Sequence, residues 1–138
     1  MRYILAALML LLSASALAVP LSGGAVSLSI IVGTLADANN PVEMATAPEY
    51  TRLAVLRQRT TNTLLALAGD PSVPKARLQI AVGIATSVQA EADTARRLLD
   101  STAGTKVMTP DITAAIAAAR ESISNGEYLY DSLGSITQ

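Results

Sequence analysis

The clearest pattern in the chain lies between Leu78 and Leu99. Leu78, Ala81, Ala85, Val88, Ala92, Ala95 and Leu99 follow one another in alternating steps of three and four. That spacing keeps one side of an α-helix apolar over nearly three heptads, and it predicts a helix over about 74–101. Small residues occupy the middle of this seam, so a neighbouring helix axis can approach more closely than across leucines. Ile80 and Ile84 lie to one side and widen the apolar face, which implies contact with two neighbours. Asp93 stands three and four residues before Arg96 and Arg97, a spacing that pairs charges on a helix surface.

The segments on either side carry the same period. Ahead of it, Thr46 and Glu49 match a capping box with Pro48 in the first turn, which predicts a helix from there to about Ala68, stopped at Gly69. Its inward positions are Tyr50, Leu53, Leu56, Thr60, Leu64 and Leu67, with Arg52, Arg57 and Arg59 largely away from them. The breaker cluster "GDPSVP" (69–74) is short enough to make the next helix an antiparallel neighbour. Behind it, "TAGTKVM" leads to Thr109, Pro110 and Asp111, a cap, a first-turn proline and an acid at the positive helix end. The last helix carries Ile112, Ile116, Ala119, Ile123, Gly126, Tyr130 and Leu133 on one seam. Asn125-Gly126 is a turn signal, but the seam stays in register through it, which predicts a weak point rather than an end.

The N-terminal third is different. Residues 25–38 read as a strand by alternation of Val26, Leu28, Ile30 and Val32, or as a helix by Leu28, Ile31, Val32, Leu35 and Ala36. A lone strand has no partner elsewhere, so a short helix is expected, closed by "DANNP". Before it, Arg2, the unbroken apolar run Ile4–Leu12 and Ala16-Leu17-Ala18 match the three regions of a secretory signal peptide. The competing reading is a retained anchor. Ile4 to Val19 is 16 residues, whereas a membrane helix takes about 20. The expectation is cleavage after Ala18 and export to a periplasm or the exterior, with residues 25–36 packed on the domain; contact of that segment with a membrane is the alternative.

The expected fold is therefore all-α: an up-down-up bundle of three main antiparallel helices with a short additional N-terminal helix. The expected divisions are a signal peptide (1–18), an N-terminal segment (19–44), the bundle (45–134) and a tail (135–138).

Composition then removes function classes. The 138 residues include no His, Cys, Phe or Trp. Ser-His-Asp and Cys-His catalysis are excluded, as are the usual zinc, haem and copper sites, and no disulfide or lipid-bearing cysteine is available. A formal net charge of −1 provides no field to draw nucleic acid. The three arginines at 52, 57 and 59 lack interleaved aromatics and read as a solvated helix face.

Little chemistry is left. Glu91 and Asp93 are two apart, which on a helix points them away from each other. Asp37, Asn39, Asn40 and Glu43 form an oxygen-rich loop without the glycine and terminal glutamate of a calcium hand, and a helix-ending loop accounts for them. Lys75 and Lys106 are the only lysines, and a narrow alanine-packed bundle is a poor scaffold for a Ser-Lys pair. No cofactor is expected. The most distinctive patch is "GEYLYD": Glu127 and Asp131 place like charges four apart, beside Tyr128 and Tyr130. These four residues are the candidate contact surface for a protein partner, the alternative being Tyr130 in the core with Tyr128 along the surface. Self-association is expected instead through the alanine-rich seams, if the short N-terminal helix leaves an apolar side of the bundle uncovered. The function expected is binding or a structural role; an anchored protein and a carboxylate- or Ser/Lys-based enzyme are the alternatives.

Overall fold

A computed structural model describes residues 36–136 as three α-helices packed against one another, with no strand among the described residues. They are α1 (Pro41–Ala68), α2 (Lys75–Asp100) and α3 (Pro110–Ser135). Cross-helix bonds give their directions. Tyr50 and Arg57 of α1 meet Asp100 and Asp93 of α2, so these two run antiparallel, while Glu49 and Arg52 meet Arg120 and Glu127, so α1 and α3 run parallel. Apart from residues 36–38, a bend and turn rather than the end of a helix, the expected N-terminal helix lies outside the described residues, as does the leader.

The α2 seam is as the spacing predicts. Ala81, Ala85, Val88, Ala92, Ala95 and Leu99 are all fully buried, and Leu78 is half-buried against the same core. Helix α2 touches both neighbours, and its contact with α3 is the most extensive in the molecule. Ile84 packs against the core, but Ile80 is 59% exposed and does not widen the buried face. The opposing α3 positions Ile116, Ala119, Ile123, Gly126 and Leu133 are buried. The core falls into two clusters. One joins Leu64 and Leu67 to Ala81, Val82, Ala85 and Leu133; the other joins Leu53 to Ala92, Ala95, Leu99, Ala119 and Ile123.

Helix α3 runs unbroken through Gly126, for a reason of packing. A β-carbon there would lie 2.8 Å from Leu56 Cδ2, 3.6 Å from Glu91 Cβ and 3.9 Å from the Val88 carbonyl oxygen. The glycine sits where all three helices close together, which offsets its intrinsic cost of about 1 kcal/mol in a helix.

Helix α1 begins earlier than the capping box predicts. Asn40 is the cap: its side-chain oxygen accepts from the amides of Val42 and Glu43, with Pro41 in the first turn. Thr46 caps nothing; its hydroxyl donates back to the Val42 carbonyl within the helix, at 2.9 Å. Pro48 is thus interior, where it removes one backbone bond; it and Met44 four residues earlier are exposed, so the Met44 carbonyl lies on the watered side. The oxygen-rich loop therefore starts a helix instead of ending one. Within it the Asp37 amide donates to Glu43 Oε2 and the Asn39 amide to Asp37 Oδ1. The other helix limits agree with expectation: α2 lies between Pro74 and Ser101, and the Thr109 hydroxyl accepts from the Ile112 amide at the start of α3.

Candidate functional site

Helix α3 distributes the four candidate residues over different surroundings. Glu127 faces α1, where Arg52 Nη2 donates to its Oε1 at 2.5 Å and Arg52 Nε to its Oε2 at 3.4 Å. Tyr130 turns inward: its ring packs on the core cluster of Leu64 and Leu133, and its hydroxyl shares a hydrogen bond with Thr63 Oγ1 at 3.2 Å. Tyr128 is 74% exposed, and Asp131 is exposed with it. The like-charge pair inferred from the spacing is relieved because Glu127 is drawn to an arginine of another helix.

Following Glu127 inward leads to a charge network that the sequence did not announce. Glu49 of α1 is buried, and its carboxylate takes Arg52 Nη1 at 2.9 Å on Oε2 and Arg120 Nε at 3.1 Å on Oε1. Arg52 also reaches Ser124 Oγ at 3.4 Å. Two arginines and two glutamates thus join α1 to α3 with balanced charge. The Arg52 guanidinium is held above its ordinary range, first by the hydrogen bond to Glu127, against some desolvation. Arg52 is thereby not part of a solvated basic face; Arg59 is exposed as expected.

A second polar clamp joins α1 to α2. The Tyr50 hydroxyl donates to Asp100 Oδ1 at 2.7 Å, Arg96 Nε donates to both oxygens of the same carboxylate, and the Arg96 guanidinium lies 5.2 Å above the Tyr50 ring. The Tyr50 hydroxyl is pushed up to about 12, by burial first and then by its bond to Asp100. The Asp100 carboxyl is held below the usual range, chiefly by that same bond. Two turns further, Arg57 Nη2 meets Asp93 Oδ1 at 2.7 Å. Asp93 and Arg96 therefore pair elsewhere, and the expected surface pair between them does not form.

Among the described residues no three His, Cys, Asp or Glu side chains are grouped as a metal site requires, and no helix is long and apolar enough to cross a membrane. Lys75 and Lys106 lie beyond opposite ends of α2's buried seam. What the geometry supplies is a set of clamps that consume Glu127 and Tyr130 internally and leave Tyr128 and Asp131 facing solvent. Compared with known proteins, the chain matches no family model, no curated sequence and no solved structure.

Proposed function

We propose that this chain is an exported helical-bundle protein that acts by binding a protein partner or as a structural component of the envelope or secretome, rather than by catalysis. The observation that carries the reading is Tyr128. A tyrosine with 74% of its surface in water, on a helix whose neighbouring Glu127 and Tyr130 are spent on internal contacts, is a rigid amphipathic group left for another molecule. The contact surface narrows accordingly from four residues to Tyr128 and Asp131. Export rests on the leader, Arg2 to Ala18, with cleavage after Ala18. A fourth, short helix ahead of residue 36 belongs to the same reading.

Two measurements test it. Intact mass of the product from its native host is expected to lack residues 1–18; a full-length product in the membrane fraction rejects export in favour of an anchor. Affinity capture with the processed chain is expected to retain a partner that Tyr128→Ala loses, with helicity and unfolding midpoint unchanged. Retention unaffected by Tyr128→Ala and Asp131→Asn together rejects this surface.

A further inference from the structure

The end of the bundle at which α1 begins carries an apolar surface whose occupant the chain itself can supply. The start of α1, the connection from α2 to α3 (residues 101–109) and the start of α3 all meet at this end. Asn40 ties them, its side-chain Nδ2 donating to the Thr105 carbonyl at 3.3 Å. Three of the five large hydrophobic side chains exposed among the described residues are here: Met44 at 50%, Val107 at 70% and Met108 at 39%. Val107 and Met108 stand in a connection whose only charge is Lys106, where a polar loop needs no such side chains.

We propose that residues 25–35 of this same chain cover that surface. Three observations select this occupant. The first is the direction of entry: the bonds from the Asp37 amide to Glu43 and from Asn40 to Thr105 fix the incoming chain beside the 101–109 connection. The second is length. Residues 25–36 form as a helix a rod of roughly 18 Å, matching the roughly 20 Å width of two helices side by side. A bilayer core takes about 30 Å, which such a rod does not cross. The third is charge. Residues 25–36 carry none, and this end of the bundle presents Asp37, Glu43, Asp100 and Asp111 against Arg96, Arg97 and Lys106, a near balance that gives an anionic lipid surface no net attraction and accepts a neutral apolar segment. Val26, Leu28, Ile31, Val32 and Leu35 then lose their own exposure in the same contact.

Hydrogen exchange on the chain as produced by its host tests the assignment. Amides of residues 28–35 are expected to be protected at least tenfold over an unstructured peptide, independently of protein concentration. The double substitution Met44→Lys, Val107→Asp is expected to remove that protection at least tenfold, while the amides from Ala81 to Leu99 stay protected and report an intact bundle. Unprotected amides at 28–35 in the unsubstituted chain overturn the proposal, and so does protection that survives the double substitution. Protection that appears only at high protein concentration overturns it in favour of a second copy. Protection that appears only with phosphatidylcholine–phosphatidylglycerol vesicles, together with flotation on them, overturns it in favour of lipid.

Discussion

Where α2 lies against α3, the contact is almost wholly apolar, with small groups (Ala81, Ala85, Ala92 and Ala95 on one side, Ala119 and Gly126 on the other) set between larger ones (Val88 and Leu99, Ile116, Ile123 and Leu133), all buried. Where α1 joins that pair, leucines 53, 56, 64 and 67 enter the core, but the flanks are polar: Glu49 with Arg52 and Arg120, Tyr50 with Asp100, and Arg57 with Asp93. The contrast follows from size. Alanines bury little area each, so their seam gains mainly from close backbone approach and tolerates no extra volume. Helix α1 cannot approach as closely past its leucines, and the gap at its edges is spanned by long charged side chains whose stems cover apolar surface. One interface should therefore fail on added volume, the other on removed charge.

The largest effect is expected in the seam. Ala85→Leu or Ala92→Leu forces three further heavy atoms into fully closed space and is expected to cost about 3 kcal/mol or more, whereas Ala90→Leu on the exposed face of α2 is expected to be near neutral. Urea unfolding followed by circular dichroism distinguishes them; an equal effect at positions 85 and 90 would break the comparison.

Next comes the α1–α3 network. Arg52→Ala with Arg120→Ala strips both arginines from the Glu49 carboxylate and leaves it buried, at an expected cost of roughly 2 kcal/mol, below the full buried-pair figure because both arginines are partly in water. Adding Glu49→Met is expected to recover most of the loss, because the site then holds a packed apolar chain without a stranded charge. No recovery would mean that the arginines act through their stems alone.

Two helical glycines give a finer discrimination. Nothing lies within 4 Å of a β-carbon at Gly83, so Gly83→Ala is expected to stabilise by about 0.5–1 kcal/mol. At Gly126 the same helix gain meets Leu56 Cδ2 at 2.8 Å in a buried site, so Gly126→Ala is expected to gain nothing, and Gly126→Val to destabilise clearly. Unfolding midpoints of the three variants in one denaturant series suffice.

The same division explains what was legible in advance. The α2 and α3 seams could be read because their packing is encoded locally, as the spacing of small apolar residues along one helix. The start of α1 could not, since Asn40-Pro41 and Thr46 to Glu49 are comparable local signals. What favours Asn40 is its bond to Thr105 in a connection 65 residues away, together with the burial of Val42. Glu49 reads from the sequence as a capping-box residue for the same reason: its partner Arg120 lies 71 positions on. In "GEYLYD" the seam spacing already carries Tyr130 inward, whereas the role of Glu127 depends on Arg52, 75 positions away on another helix. Polar clamps between helices leave no periodicity to read.

The smallest expected effect concerns the Tyr50–Asp100–Arg96 clamp, and its pH dependence has a definite sign at each end. Tyr50 keeps its proton in the folded chain up to about 12, whereas an unfolded tyrosine ionises near 10. Its contribution is therefore whole below pH ~10 and is lost as pH rises from there through about 12. Asp100 is the mirror case: its folded carboxyl lies below the ordinary range, so its contribution is present above about pH 4 and drains as pH falls further. Both groups are substantially exposed, so solvent screening limits each contribution to about 1 kcal/mol at most. Because the hydrogen bond from Tyr50 is the leading cause of the Asp100 shift, Tyr50→Phe should flatten both limbs at once. Unfolding midpoints from pH 3 to 11 would show that double flattening; if only the alkaline limb changed, Arg96 would be the group that holds Asp100, and the α1–α2 clamp would reduce to an ion pair within α2.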